Sequence, residues 1–450
     1  MFRMKVHFIA IGGAVMHNLA ITLHKKGYEV SGSDDEIFEP SRSRLEQYGI
    51  LPEKYGWDKE RITGDIDTVI LGMHARSDNP ELLKAQELSL KVMSFPEYLF
   101  EQTKNKKRIV IAGSHGKTTT TAMILHVLKS QGIKFDYMVG SLIDGFETMV
   151  GLSDEAEVAV FEGDEYLTST LDRRPKFHLY RPDIAILNGI AWDHMNVFPT
   201  LENYIGQFKI FVEKISDGGT LIYFDGDEEV KRIASATRDD IKKISYKTHG
   251  YFQNKTGFYA ATHSRVVPLK IFGEHNMQNL SAAREVCLAL GVSEDHFYET
   301  IKDFEGTSKR LQILKENEYG TVYLDFAHAP SKVNASVEAV VSRYPGRKII
   351  AFLELHTFSS LSYDYLPLYK GTLASATDAY IYFNPHALKL KNLQPLSKEA
   401  VYEAFDSNNV QVFDNSEEMF SDCKTQKYHC PVYLCMSSGD FNGFDLTLLV

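Results

Sequence analysis

The chain has 450 residues and a net charge of -11, with 44% hydrophobic and 24% charged residues. At roughly 100–200 residues per domain, this length predicts two to four domains, with three the best division. An acidic chain argues against a main role in gripping nucleic acid, because proteins with that role usually carry a basic face. No apolar stretch approaches the roughly 18 residues that a membrane span requires, so a membrane is not an expected partner either.

Four cysteines are scattered along the chain without a Cys-x-x-Cys pair, which is typical of reduced thiols rather than of a zinc site. They are Cys287, Cys423, Cys430 and Cys435. The apolar run in Met1–Gly13 is short and is interrupted by a Gly-Gly turn, so a first strand explains it better than a signal peptide. Both observations favour a cytoplasmic protein.

Strand-like and helix-like segments alternate along nearly the whole chain, a pattern typical of α/β domains with mainly parallel sheets. Polar stretches at Glu101–Lys107 and Phe304–Arg310 separate three such units. We therefore predict domains at residues 1–104, 105–308 and 309–450. Among the predicted elements are the strands Lys5–Ile11, Glu29–Ser33 and Arg108–Ala112 and the helices Val15–Lys26, Asn279–Leu290 and Tyr365–Ala376.

A glycine turn follows the first predicted strand, at Gly12-Gly13. It departs from the dinucleotide fingerprint GxGxxG, because Ala10 and Val15 stand where that motif has its outer glycines. The second strand ends at Ser33, directly before Asp34, a candidate acceptor for a ribose hydroxyl. The helix N-terminus after the turn favours binding of a nucleotide diphosphate, although a purely structural turn is the alternative.

The strongest motif is a phosphate loop between the strand RIVIA and a helical stretch. In such a loop, backbone N–H groups and the helix N-terminus bind phosphate oxygens. Lys117 supplies a cation for the β- and γ-phosphates of ATP, and the Thr118 hydroxyl is a candidate Mg²⁺ ligand. Two residues separate the glycines here instead of the usual four. The predicted ATP-binding residues of the loop are Gly113, Ser114, His115, Gly116, Lys117, Thr118 and Thr119.

Polar residues follow two further predicted strands of the same unit. Glu162 ends one strand, Asn188 ends another, and His194 comes shortly after it. Ligands of open α/β sheets bind at the carboxyl ends of strands, and Mg²⁺ prefers hard oxygen ligands. We therefore predict Glu162 as a Mg²⁺ ligand and Asn188 and His194 as site residues, against the alternative that these are ordinary loop residues.

Five motifs together resemble the Mur ligase family. They are AGSHGKTTTT (Ala112–Thr121), EGDEY (Glu162–Tyr166), ILNGIAWDHMNVF (Ile186–Phe198), GEHNMQN (Gly273–Asn279) and LDFAHAPSKV (Leu324–Val333). The resemblance implies a Rossmann-like N-terminal domain, a central phosphate-loop ATP-binding α/β domain and a C-terminal Rossmann-like α/β domain. It further implies an ATP-dependent ligase that forms an amide through an acyl phosphate. The expected cofactors are ATP and two Mg²⁺ ions.

The resemblance also implies roles for individual residues. The catalytic set comprises Lys117, Glu162, Asn188, His194, Arg310 and His328. The ATP-binding set adds Asn276 at the adenine, Arg310 at the γ-phosphate and Asp325 at the ribose. The metal ligands are Thr118, Glu162 and His194. The UDP-substrate residues are Gly12, Gly13, Ser33, Asp34 and Arg76.

The expected substrates are UDP-N-acetylmuramate and an amine, either a peptide or an amino acid. Asp164–Phe177 and Met436–Gly443 resemble the subgroup that recycles the tripeptide L-alanyl-γ-D-glutamyl-meso-diaminopimelate. The sibling subgroup uses L-alanine and binds its carboxylate through arginines in a His-Arg-Phe-Ser/Thr-Arg motif, for which a bidentate cation is suited. Here the matching stretch is His356-Thr357-Phe358-Ser359-Ser360 and lacks both arginines, and Ala329 replaces a histidine. This favours the tripeptide, with L-alanine as the alternative.

Several further expectations follow from the resemblance. Lys209 is a candidate for a carbamylated lysine that bridges Mg²⁺, the alternative being an exposed helix lysine. We expect a monomer or a homodimer, and an open form that closes around ATP and the UDP-sugar. Three other functions are weighed: a nicotinamide dehydrogenase, a non-catalytic nucleotide-binding regulator and a folylpolyglutamate synthase, none of which uses all of these motifs.

Overall fold

The computed structural model describes residues 3–254, 257–426 and 428–450. The first two residues of the predicted 1–104 domain therefore lie outside the described part of the chain. Four sheets are present among the described residues, and three of them are mainly parallel. The predicted α/β class is confirmed. No helix in the described ranges is long and apolar enough to cross a membrane.

The N-terminal sheet has four parallel strands in the order β2-β1-β3-β4. Its strands are β1 (Lys5–Ile9), β2 (Glu29–Ser33), β3 (Thr68–Leu71) and β4 (Val92–Ser94). Its helices are α1 (Ala14–Lys25), α2 (Ser41–Gln47), α3 (Pro80–Glu87) and α4 (Phe95–Thr103). The strand predicted over Lys5–Ile11 ends at Ile9, because Ala10 has φ 67° and turns the chain.

The central sheet has seven strands in the order β11-β10-β9-β5-β8-β6-β7, with only β7 antiparallel to its neighbour. The strands are β5 (Lys107–Ala112), β6 (Phe135–Met138), β7 (Val150–Gly151), β8 (Val158–Glu162), β9 (Ile184–Leu187), β10 (Thr220–Phe224) and β11 (Lys242–Tyr246). The helices are α5 (Lys117–Ser130), α6 (Leu201–Glu213), α7 (Glu228–Ala236), α8 (Glu274–Ala289) and α9 (Glu294–Ile301). A small antiparallel sheet follows β11, formed by β12 (Tyr251–Asn254), β13 (Gly257–Ala261) and β14 (Val266–Leu269).

The C-terminal sheet has six strands in the order β15-β16-β20-β17-β18-β19, with only β15 antiparallel. The strands are β15 (Gln312–Asn317), β16 (Gly320–Asp325), β17 (Ile349–Leu355), β18 (Asp378–Phe383), β19 (Val410–Phe413) and β20 (Val432–Met436). The helices are α10 (Pro330–Arg343), α11 (Pro385–Leu390), α12 (Lys398–Phe405) and α13 (Ser416–Thr425). Of the helix predicted over Tyr365–Ala376, only a 3₁₀ turn at Leu366–Tyr369 forms, because Gly371 has φ 72° and breaks the segment.

The central strands of these sheets are buried on both faces, as expected where helices cover a parallel sheet. Every residue of β9 and β17 is buried, and so are Arg108–Ala112 of β5. Since the interior strands are fixed by this packing, their carboxyl ends are rigid positions. The ends of β5, β8, β9 and β16 and the loops that follow them carry most of the predicted ATP and reaction residues, whereas Asn276 lies in α8 and Arg310 precedes β15.

Candidate active site

A cleft of about 410 Å³ lies between the central and C-terminal domains. Every predicted ATP, metal and catalytic residue lines this cleft except Gly113. The residues come from positions that lie as far apart in the chain as Ser114 and His328. The fold therefore brings these predicted residues together at strand ends, while Gly113 stays behind them and shapes the turn.

The phosphate loop depends on two glycines that adopt positive φ angles. Gly113 has φ 131° and Gly116 has φ 70°, a region that favours glycine. A Cβ atom on Gly116 would lie 2.0 Å from Oδ1 of Asn279. The loop leads directly into α5, whose first turn leaves backbone N–H groups free for an anion. Lys117 folds back over the loop and donates to the Gly113 carbonyl at 2.6 Å.

A buried cluster of acids faces Lys117. Its Nζ lies 2.7 Å from Oε2 of Glu165. Glu165 also accepts a hydrogen bond from the Tyr204 hydroxyl at 3.0 Å, and Nε2 of His194 lies 3.7 Å away. Burial opposes the charge on Lys117, but Glu165 and Asp164 outweigh it and raise its pKa. The EGDEY motif was predicted to belong to the site, but Glu165 within it was not singled out. Glu165 lies three residues beyond the end of β8, so the direction of its side chain could not be inferred from the sequence.

Glu162 and Thr118 lie together as the metal prediction requires. The Thr118 hydroxyl donates to Oε1 of Glu162 at 2.9 Å, and the Gly140 N–H donates to Oε2 at 2.7 Å. Burial raises the pKa of Glu162, against the opposing charge of Lys117. Hydroxyl and carboxylate oxygens fit Mg²⁺. Among the described residues, no three His, Cys, Asp or Glu side chains form a metal site by themselves, so Mg²⁺ here would also need phosphate or water oxygens.

Asn188 and His194 are held in place by the surrounding loops. The Asn188 amide donates to the Thr120 hydroxyl at 3.2 Å and accepts from the Tyr246 hydroxyl at 2.9 Å. His194 has φ 56°, and its backbone N–H donates to Asp193 at 2.8 Å. Asn188 therefore braces the phosphate loop, and His194 points its ring towards Glu165.

The C-terminal domain contributes Asp325 and His328, which lie at the end of β16. Asp325 accepts a hydrogen bond from the Ser336 hydroxyl, and burial raises the pKa of Asp325. Nδ1 of His328 lies 2.9 Å from the Phe326 carbonyl, so a proton on Nδ1 leaves Nε2 as an acceptor. Burial and the charge of Lys332 together lower the pKa of His328 to about 3.

The remaining ATP residues are placed on both sides of the cleft. The Asn276 amide donates to the Phe272 carbonyl at 2.8 Å, which fixes the start of α8. The guanidinium of Arg310 lies 5.0 Å from the centre of the Phe326 ring, within the range of a cation–π contact. Both residues line the cleft.

The C-terminal domain contacts the phosphate-loop side of the cleft directly, and closure around ATP and the UDP-sugar stays a prediction. Lys332 pairs with the buried Asp193 at 3.1 Å, and Nε2 of His115 lies 2.7 Å from the Ser331 hydroxyl. The Met195 N–H donates to the Ser359 hydroxyl at 3.2 Å. These direct contacts between the two domains hold the cleft in its narrow form.

The predicted UDP residues lie apart from this cleft, at the carboxyl edge of the N-terminal sheet. The Gly12 N–H donates to Oδ2 of Asp34 at 2.7 Å, and burial raises the pKa of Asp34 to about 6. Gly13 precedes α1, and Arg76 is exposed in the loop after β3. Ser33 is fully buried and its hydroxyl donates to Glu81, so its side chain faces the core instead of the surface.

Lys209 lies on the exposed side of α6, which does not support the carbamylated-lysine hypothesis. The residue of α6 that reaches the site is Tyr204, whose hydroxyl contacts Ser114 and Glu165. At 3.6 residues per turn, a residue five positions later points well away from that face.

Known proteins with similar sequences and folds were then compared with the chain. The Mur ligase middle domain matches residues 111–287, and the domain described as the Mur ligase family catalytic domain matches residues 5–107. A UDP-N-acetylmuramate–L-alanine ligase of Caldicellulosiruptor bescii is 31% identical over 415 residues, covering 88% of this chain and 87% of the relative. A UDP-N-acetylmuramate–L-alanyl-γ-D-glutamyl-meso-2,6-diaminoheptandioate ligase of Haemophilus influenzae is 27% identical, covering 99% and 98%. The crystal structure of a murein peptide ligase from Psychrobacter arcticus superimposes with a TM-score of 0.68 at 23% identity, covering 99% and 98%.

Proposed function

The chain belongs to the Mur ligase family, and from that premise we propose that it joins UDP-N-acetylmuramate to the tripeptide L-alanyl-γ-D-glutamyl-meso-diaminopimelate in peptidoglycan recycling. Members of this family are ATP-dependent, ADP-forming ligases, and the protein is such an enzyme. The identity of the amine substrate, the tripeptide, is the more specific part of the proposal. Residues 1–104 are assigned to the UDP-sugar, 105–308 to ATP and 309–450 to the amine and part of ATP.

The observation that carries the tripeptide assignment is the lack of arginines in His356–Ser360. This segment lies beside the loop of His194, because the Ser359 hydroxyl accepts the Met195 N–H. Ser360 is fully buried, and its hydroxyl accepts the Thr357 N–H at 2.9 Å, so it serves the local turn. A free amino acid needs a cation for its carboxylate close to the reacting amine. In the tripeptide the alanine carboxyl is part of a peptide bond, so all of the free carboxylates lie farther from that amine.

The proposed reaction has two steps, and the placement of the side chains supports both. The substrate carboxylate attacks the γ-phosphorus of ATP, giving an acyl phosphate and ADP. Lys117 and the N-terminus of α5 neutralise charge at the phosphates, with Arg310 opposite them. Bound at Thr118 and Glu162, Mg²⁺ would supply further charge neutralisation.

In the second step, the amine attacks the acyl carbonyl and phosphate leaves as the amide forms. The incoming amine must lose a proton in this step. His328 is a candidate for accepting it, because it lines the cleft and the contact of Nδ1 with the Phe326 carbonyl leaves Nε2 as the acceptor. Asn188 would orient phosphate or carboxylate oxygens from the other wall of the cleft.

L-Alanine is the second candidate substrate. It is favoured by the C. bescii relative at 31% identity, whose name specifies L-alanine. The two proposals share the fold, the ATP site and the UDP-sugar, and they differ only in the amine.

The test is phosphate release with ATP, Mg²⁺ and UDP-N-acetylmuramate, with the tripeptide or L-alanine as the amine. We expect turnover with the tripeptide and little with L-alanine, and a Lys117→Ala variant should be inactive with both. Turnover with L-alanine alone would replace the tripeptide assignment by the alternative. No turnover with either amine would contradict both substrate assignments.

A further inference from the structure

A second cavity, of about 390 Å³, lies between the N-terminal and central domains. It shares no lining residue with the ATP cleft. One wall is formed by Lys91–Met93 and by Glu97, Phe100 and Glu101 of α4, and the other by the segment 174–181 and the end of α6. The cavity therefore joins two domains at a place that the proposed reaction does not use.

The walls of this cavity carry an excess of cations. The cations are Lys91, Arg174, Arg181 and Lys214, together with the imidazole of His178. Within the described ranges, Lys91, Arg181 and Lys214 form no ion pair. Such a concentration of unpaired positive charge is unexpected in a chain with a net charge of -11.

The two carboxylates of the cavity are already engaged by their own helix. Glu97 accepts hydrogen bonds from the backbone N–H and the hydroxyl of Ser94, both at 2.8 Å, in a capping box. Glu101 pairs with Lys104 at 2.7 Å. Neither carboxylate therefore neutralises the opposite wall by a direct contact.

The four cations are exposed to water, and the backbone that carries Arg181 is strained. Arg181 has φ 43° directly before Pro182, a position where extended backbone is preferred. Its guanidinium lies 5.6 Å from the centre of the Phe100 ring, and its carbonyl accepts from Arg108 at 3.0 Å. Burial lowers the pKa of His178, and the charges of Lys214 and Arg174 lower it further. A bound anion would relieve this repulsion.

We propose that this cavity binds a small anion with two or more phosphate groups. The four cations come from three parts of the chain and line the cavity from both domains, and Arg174 also pairs with Asp172 at 2.7 Å. A diphosphate presents oxygens in many directions and can contact guanidinium and ammonium groups on both walls, whereas a carboxylate presents two oxygens in one plane. The volume accommodates a diphosphate with water.

The site is connected to the acidic motif of the ATP cleft. Lys176 lies between Arg174 and His178 in sequence, and its Nζ pairs with Oδ2 of Asp164 at 2.5 Å. An anion that fixes the 174–181 segment would therefore also fix Lys176 beside Asp164. Binding of the anion would therefore affect how the N-terminal domain is positioned relative to the acidic motif that contains Asp164.

The probe for the test is inorganic pyrophosphate, titrated calorimetrically into the full-length protein with the ATP cleft saturated by ADP and the UDP-sugar site saturated by UDP-N-acetylmuramate. We expect one bound pyrophosphate, and at least a tenfold loss of affinity in the double variant Lys91→Ala/Lys214→Ala. The matched control is Lys54→Ala/Lys242→Ala, which removes one exposed lysine from each of the same two domains. The control should bind as the unchanged protein does.

Three outcomes would overturn the proposal. One is the absence of binding at millimolar pyrophosphate, and another is equal affinity in the cavity variant and the unchanged protein. The third is citrate binding as tightly as pyrophosphate, which would reject the phosphate assignment. Thermal melting of each variant checks that it is folded, and the ADP affinity of each variant checks that the ATP cleft is intact.

Discussion

Glu165 is the buried partner of Lys117 at 2.7 Å, and it also contacts Tyr204. Removing one partner of a buried ion pair costs roughly 3–5 kcal/mol when nothing replaces it. We predict that Glu165→Gln lowers the melting temperature without nucleotide. ATP should raise that temperature more in the variant than in the unchanged protein, because phosphate replaces the lost charge beside Lys117. The exposed Glu155 provides the control Glu155→Gln. An equal ATP-induced shift in both variants would contradict this role.

Three histidines of the cleft, of which His328 is buried and His115 and His275 are half-buried, predict a loss of stability in acid. Burial lowers the pKa of His115 to about 3, of His275 to about 4 and of His328 to about 3. Their ordinary pKa is about 6.5, so between pH 4 and 6.5 the unfolded chain binds more protons than the folded one. Stability should therefore fall as pH decreases through that window. Asp34, with its pKa raised to about 6, acts in the opposite direction, and so do Glu162 and Asp325, whose pKa values burial also raises. The effect of one histidine is therefore measured by its own substitution.

Denaturant unfolding at pH 7.5 and pH 5 measures this dependence. His275→Gln should reduce the slope, by up to about 1.4 kcal/mol per pH unit for one proton. The exposed His296 gives the control His296→Gln, which should leave the slope unchanged. Identical slopes in both variants would show that His275 does not stay neutral in the folded protein.

The element that sequence reasoning describes best is the phosphate loop, because its spacing constrains backbone geometry directly. The start of α8 was placed too late, at Asn279 instead of Glu274, since its first turn is polar and gives no apolar period. The side-chain direction of Ser33 was also not predictable. Its hydroxyl is directed into the core by Glu81, which lies 48 residues away in sequence.

Alanine substitutions at Gly116 and Gly132 distinguish the effect of backbone strain from that of a steric clash in the phosphate loop. It has φ 70°, and an added Cβ would lie 2.0 Å from Oδ1 of Asn279. Gly132 has φ 67° with nothing within 4 Å of an added Cβ. Both alanine variants carry a backbone strain of about 1 kcal/mol. We predict that Gly116→Ala lowers kcat/KM for ATP at least a hundredfold, whereas Gly132→Ala keeps full activity. Comparable activity in the two variants would contradict the predicted close fit of the loop.

At the scale of the whole molecule, the number and order of the domains follow from polar segments and strand–helix alternation. Their arrangement does not, because it depends on pairs such as Asp193 and Lys332, which are 139 residues apart. One continuous cluster of buried apolar residues includes members of both the central and the C-terminal domains. The narrow form of the cleft is therefore held by apolar packing and by a few polar contacts.

Lys332 is the polar contact whose loss should matter most for this arrangement. Burial opposes the charge on Asp193, but Lys332, His194 and His328 outweigh it and lower its pKa, so Asp193 is a buried anion. Lys332→Ala leaves that anion without its ammonium partner. We predict that the variant shifts towards an open form, seen as a larger radius of gyration in X-ray scattering without nucleotide. Lys370→Ala, which removes an exposed lysine of the same domain, should scatter as the unchanged protein does. If Lys332→Ala keeps the unchanged radius, the apolar cluster alone holds the domains together and the ion pair contributes nothing to closure.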